Sequence, residues 1–204
     1  MNTRTTLSIT ILALAASTGQ AAITGVTGNT NWLGSPPANC SIFQLFSANA
    51  FVWDEKQNVP LSLFTDMTNN PGVSSSPVPG NISGVYDSAF LHFDGSTGVL
   101  SAAGTITFSQ PIVACIFKHT LLDLSDGPAG APTTIYPTGF LNRGLGTSIP
   151  SFFSISGNTM TFNIGADPAF NEICQVRIIT SPAPAPGSMA LLGLGGLISL
   201  RRRR

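Results

Sequence analysis

The sequence predicts an all-β domain, an antiparallel β-sandwich or jelly roll, on three grounds. The chain is rich in Gly, Ser, Thr, Asn and Pro interspersed with Phe, Ile and Val, and it lacks the Lys-, Glu- and Ala-rich stretches that make helices. Apolar and polar residues alternate in Thr105-Ile106-Thr107-Phe108-Ser109 and in Thr159-Met160-Thr161-Phe162-Asn163-Ile164, the period of two that puts one set on each face of a sheet. The candidate strands are short and separated by Pro- and Gly-rich connections, and sheets that each carry one apolar face must bury it against one another.

Taken in chain order, strands are expected at 42–46, 51–53, 89–93, 105–109, 112–117, 151–155, 159–164 and 175–180. The turn Ser156-Gly157-Asn158 joins 151–155 to 159–164 as a hairpin, because Gly and Asn tolerate the positive φ that such turns require; Phe152, Phe153 and Ile155 give the hairpin its apolar side. A helical turn is expected near 121–126. No repeat of fixed period is present, which disfavours a solenoid or propeller.

Two flanking segments are read as addresses rather than fold. Arg4 precedes a mostly apolar run, 7–16, and then the small residues Ser17-Thr18-Gly19-Gln20-Ala21-Ala22. That is the order of a secretory signal peptide, with Gly19 and Ala21 in the small-x-small positions; cleavage is expected after Ala21, with Ala22 as the alternative. At the other end, Pro182-Ala183-Pro184-Ala185-Pro186-Gly187-Ser188 cannot continue a helix or sheet, since each proline lacks an N–H and restricts its predecessor to extended backbone. Uncharged residues 189–200 follow, and then Arg201, Arg202, Arg203 and Arg204, a stop-transfer pattern under the positive-inside rule. Twelve helical residues would span roughly 18 Å of a hydrocarbon core about 30 Å thick, so the segment suits temporary retention better than permanent anchoring. Gly193, Gly195 and Gly196 weaken it further.

This three-part tail, residues 182–204, resembles the PEP-CTERM sorting signal, which exosortase-type transpeptidases recognise on exported proteins of bacteria with exopolysaccharide-rich envelopes. Pro184, Pro186 and Gly187 fall in the motif, and Ala185 stands where the usual motif has Glu. The resemblance implies passage through the secretion translocon, transient inner-membrane retention, processing by the transpeptidase, and arrival at the cell surface or matrix. The body is similar to the ectodomains of other proteins with this tail at 52–58, 104–108, 131–138 and 155–159, a group with no activity to carry over.

The expected organisation is therefore a signal peptide over 1–21, one ectodomain over 22–181 and the sorting signal over 182–204. With Arg4 and the four terminal arginines set aside, Lys56, Lys118, Arg143 and Arg177 face nine acidic residues, a net charge of −5. Sparse basic residues argue against nucleic acid and against anionic lipid; membrane contact is expected only through the tail.

Catalytic motifs are missing from the sequence. There is no G-x-S-x-G elbow, H-E-x-x-H, P-loop or C-x-x-C, and Gly80-Asn81-Ile82-Ser83-Gly84 places its serine one position too late for the elbow. His92 lies in the alternating Phe90-Leu91-His92-Phe93 and is expected to face solvent. Asp123 and Asp126, beside Ser125 and Gly127, are weak calcium candidates, although turn-capping by Asp explains them without metal; Asp87 and Asp94 flank another strand. Trp32, Trp53, Tyr86 and Tyr136 are the aromatics that could stack on sugar. Trp53, two residues after Phe51, is expected in the core, while Trp32 and Tyr136 are kept as glycan-stacking candidates. Of three cysteines, Cys40, Cys115 and Cys174, the last two share strand parity with core positions, and a Cys115–Cys174 disulfide is expected in an oxidising compartment.

No cofactor is implied. The favoured function is a non-catalytic cell-surface or extracellular-matrix protein. A carbohydrate-binding module that associates with exopolysaccharide is the alternative, and an extracellular hydrolase, which would need paired acids across a cleft, is a second.

Overall fold

A computed structural model describes residues 23–146 and 148–183. The signal peptide with its Ala21 cleavage position, and the sorting residues Pro184, Pro186, Gly187 and Arg201, Arg202, Arg203 and Arg204, lie outside the described residues. In chain order the described elements are β1 (Ile23–Gly28), β2 (Thr30–Trp32), β3 (Ala50–Thr65), β4 (Gly72–Val73), β5 (Gly80–Phe93), β6 (Ser101–Phe108), β7 (Ile112–Ile116), α1 (His119–Ala129), β8 (Arg143–Gly144), β9 (Phe152–Ser156), β10 (Thr159–Gly165), a 3-10 turn (Pro168–Phe170) and β11 (Ile173–Thr180).

The strands form two sheets. The first runs β1-β6-β10-β9-β4 and is antiparallel throughout. The second runs β2-β3-β5-β11-β7, with β8 also paired to β11; only β2/β3 and β8/β11 are parallel. The chain steps from one sheet to the other between β1 and β2, where Gly28 adopts φ +70°. Gly104 lies opposite, and a Cβ there would overlap the Thr27 carbonyl, so only glycine allows β1 this close to β6.

Alternation accounts for the first sheet. Ile106, Phe108, Phe153, Ile155, Met160, Phe162 and Ile164 all enter one buried cluster, while their neighbours Thr105, Thr107, Ser154, Thr159 and Thr161 stay partly or fully exposed. The same cluster takes Val52, Leu91, Phe93, Val176 and Ile178 from the second sheet. The expected hairpin at 156–158 is present, with Gly157 at φ +62°.

The second sheet is buried on both faces around β11 and the C-terminal half of β5. Opposite the shared cluster, Trp53, Phe90 and Ile116 pack with Cys40 and Leu122, and Ala114 and Ile179 pack with Leu61, Ile82 and Ala129. The helix supplies Leu122 and Ala129 and so covers this outer face. It is longer than the single turn expected at 121–126, and Lys56 Nζ donates to the last-turn carbonyls of Gly127 (2.8 Å) and Pro128 (3.0 Å), groups with no partner inside the helix.

Two expectations are corrected here. Residues 42–46 form no strand: Phe43 sits at φ +64°, outside extended backbone, and its N–H donates to the Asp94 carboxylate, which fixes a turn. The Cys115–Cys174 disulfide does not form, and all three cysteines are free and buried. Both side chains do point into the shared cluster, as parity required. Register separates them, because Cys115 pairs with Ile178 while Cys174 lies four residues further along β11. At about 3.3 Å per residue that is roughly 13 Å, well past the 7 Å limit on bridged Cα atoms. Burial raises the Cys40 and Cys174 thiols to about 12 and pushes Cys115 up as well. A thiol-specific reagent is therefore expected to find no reactive thiol in the native protein and three after unfolding; a disulfide-linked peptide in a non-reduced digest would contradict this.

Candidate functional site

The outer face of the second sheet carries a cluster of ion pairs assembled from residues far apart in the chain. The Arg177 side chain, fully buried on β11, lies in register with Phe90 on β5 and Ile116 on β7; Phe90 is in turn in register with Trp53 on β3. Glu55 falls where the β3 register slips between Asp54 and Lys56, and this bulge brings its carboxylate to Arg177. The pair is bidentate, Nε to Oε2 at 2.8 Å and Nη2 to Oε1 at 3.0 Å. The guanidinium also donates to Ser125 Oγ and to Asp126 Oδ1 (3.1 Å), both from α1. Its carbon stands 4.8 Å from the Phe90 ring centre and 5.2 Å from that of Tyr136.

A second guanidinium extends the network. Arg143 Nη1 donates to Asp123 Oδ1 (2.8 Å) and Asp126 Oδ2 (2.7 Å), and its Nε donates to Gln175 Oε1 (2.8 Å). With that oxygen committed, the Gln175 amide nitrogen donates to the Cys40 carbonyl and to His92 Nδ1, both at 3.0 Å. His92 Nδ1 is thus an acceptor, which places the ring proton on Nε2, where the described residues offer no partner. Burial, with Arg143 adding to it, lowers the His92 pKa to about 3 and keeps the ring neutral. The expectation of a solvent-facing His92 fails because this strand face lies beneath α1 and the loops around it; the residue is fully buried.

Burial by itself disfavours the Arg177 charge, but Glu55, Asp126 and Tyr136 outweigh it and hold the guanidinium protonated beyond its usual range. Tyr136 donates its hydroxyl to Glu55 and accepts from Ala131 N–H (2.8 Å), and burial followed by Glu55 pushes its pKa up. Tyr136 is therefore no sugar platform, since Phe90 and Arg177 occupy its ring and Glu55 its hydroxyl. Trp53 is in the core as expected. Trp32 is half-exposed on β2, at the edge of the second sheet.

Asp123 and Asp126 come together, though around a guanidinium in place of a calcium ion. Asp126 accepts from both arginines and from Thr138 Oγ1 (3.0 Å), and Asp123 accepts from the Gly139 N–H (3.0 Å) as well as Arg143. A divalent cation would have to displace two positive charges already hydrogen-bonded to these oxygens. Chelator is therefore expected to leave the unfolding temperature unchanged; a drop restored by added calcium and absent in Asp126→Ala would overturn that assignment.

Chemically the network joins three carboxylates, Glu55, Asp123 and Asp126, to two guanidinium groups, Arg143 and Arg177. The carboxylate oxygens facing the guanidinium groups are occupied as hydrogen-bond acceptors. An open hollow of about 310 Å³ elsewhere is lined by Asn142, Ser148, Phe170 and Glu172. There the buried Glu172 accepts from Ser148 Oγ and from Ser148 N–H (3.3 Å), which tie the loop before β9 to the start of β11. Linear reading did not anticipate Glu55, Arg143, Arg177 or Gln175 as a unit. The one signal for it was an arginine and a glutamine embedded in the otherwise aliphatic Ile173-Cys174-Gln175-Val176-Arg177-Ile178-Ile179.

Comparison with known proteins finds no matching family, no similar curated protein and no similar solved structure.

Proposed function

We propose that this chain is a non-catalytic exported protein of the cell surface or extracellular matrix, built as a two-sheet sandwich and passed to an exosortase-type transpeptidase by its C-terminal tail. The observation that carries the reading is the order of the tail: a Pro-Ala-Pro-Gly segment, uncharged residues 189–200, and Arg201 to Arg204. The signal-peptide pattern before Ala21 supports the same route. A non-catalytic role is supported by the commitment of Glu55, Asp123 and Asp126 to Arg143 and Arg177, which leaves no pair of these acids for hydrolysis.

Association with exopolysaccharide is the second reading, and one observation favours it: none of the five strands of the first sheet contains an ionisable residue. The direct test of the first reading is C-terminal mass spectrometry of protein recovered from the cell surface. A terminus within residues 182–188 is expected. Recovery of most surface protein with Arg204 intact would refute sorting and leave a simple anchor in its place.

A further inference from the structure

We propose that the outer face of the first sheet is a binding surface for a neutral, hydroxyl-rich polysaccharide, an inference that rests on the exported location proposed above and names the ligand class of its second reading.

Strand register sets polar side chains in rows across this face. One row is Thr27–Thr105–Thr161–Ser154, from β1, β6, β10 and β9 in turn. A parallel row carries Thr107–Thr159–Ser156, and a third carries Ala103–Asn163–Phe152. Neighbours within a row are about 4.8 Å apart and successive rows about 6.7 Å apart, as pleated strands dictate. All of these residues are partly or fully exposed, and Phe152 is 54% exposed. The Thr27 and Thr105 hydroxyls already bond to each other at 2.7 Å, so that part of the array is ordered before any ligand arrives. Among the described residues α1 packs on the second sheet, and its principal contacts are with β3 and β8.

Charge identifies the occupant. Charged residues are sparse throughout the chain, at 9%, and the five strands of this sheet have none. An apolar partner would bury the hydroxyl rows without hydrogen bonds, at a cost for each group. An acidic polymer would be repelled by a domain of net charge −5 and would find no cation on this face. A neutral polysaccharide meets neither penalty. Its hydroxyls donate and accept as those of Thr and Ser do, and the C–H face of a sugar ring can lie against Phe152.

The test is electrophoresis of the purified protein in native gels cast with dextran, with hydroxyethylcellulose, or with alginate as the acidic control. Retardation by at least one neutral polymer, insensitive to added salt, is expected, with none by alginate. The double variant Thr105→Lys, Thr161→Lys is expected to weaken the apparent affinity roughly tenfold or more, and Phe152→Ala to weaken it less. Thermal unfolding checks that the variants fold, and Ser156→Lys, at an exposed position, replaces the double variant if they do not. The proposal is overturned by any of three results: no retardation in either neutral polymer, equal retardation of wild type and lysine variant, or salt-sensitive binding to alginate alone. Sedimentation showing a dimer that the lysines disrupt would assign the face to a second copy of the chain instead. A protein found at the cell surface that ignores these polymers sinks this proposal alone, while one retained in the cytoplasm sinks the export reading.

Discussion

Arg177→Met should destabilise the domain by about 3–5 kcal/mol, because it strips the partner from a carboxylate that stays buried. The Glu55 side chain is fully buried and both its oxygens accept from this guanidinium, while Asp126 and Ser125 lose a donor at the same stroke. For a domain of this size the loss corresponds to a fall in Tm of roughly 10 °C. Removing both charges in Arg177→Met with Glu55→Leu is expected to recover a large part of the loss, since an apolar pair of similar volume avoids the desolvation of two ions. Denaturant unfolding of the four proteins in the cycle measures this directly. A loss below about 1 kcal/mol in the single variant would mean that water reaches Glu55, contrary to the buried geometry.

Deletion of Arg201, Arg202, Arg203 and Arg204 should leave the chain unprocessed or misdirected, the largest functional effect expected of any change outside the domain. Carrying each arginine through an apolar core costs roughly 2.5–3.5 kcal/mol even on the translocon scale. On the proposed topology, four of them stop a segment too short and too glycine-rich to stop itself. Pro186→Ala and Gly187→Leu are expected to slow processing while the domain's thermal unfolding stays at the wild-type temperature. Pulse-chase labelling resolves the precursor from the processed form, and normal processing of the arginine deletion would show that the charges do not set the topology.

What could be read from the sequence follows from how each strand is buried. In β10 the inward and outward residues differ in polarity, so period two was visible and the hairpin was placed correctly, whereas in β9 the expected apolar side holds for Phe153 and Ile155 but not for Phe152, which faces outward. The second sheet broke that logic, because α1 covers the face that a half-buried strand would show to water. His92 was therefore expected to face solvent, when with Gln175 and Arg177 it forms the polar lining of a second core. Glu55 was beyond linear reading for another reason, since a bulge alone directs it and bulges leave no period in the sequence. Parity correctly turned Cys115 and Cys174 inward, but parity says nothing about distance along a strand, and distance decides whether two sulfurs meet.

The position of β11 has a consequence for the order of events during synthesis. It pairs with β5, β7 and β8, and Arg177 closes the network, yet it is the last of the described strands to leave the ribosome. A nascent chain ending before Ile173 has β7 without its sheet neighbour and Glu55 without its counter-ion. Non-local pairings of this kind form slowly in any case. For a chain exported as proposed, the second sheet therefore completes its pairing and its charge network only when β11 has crossed, after every strand of the first sheet.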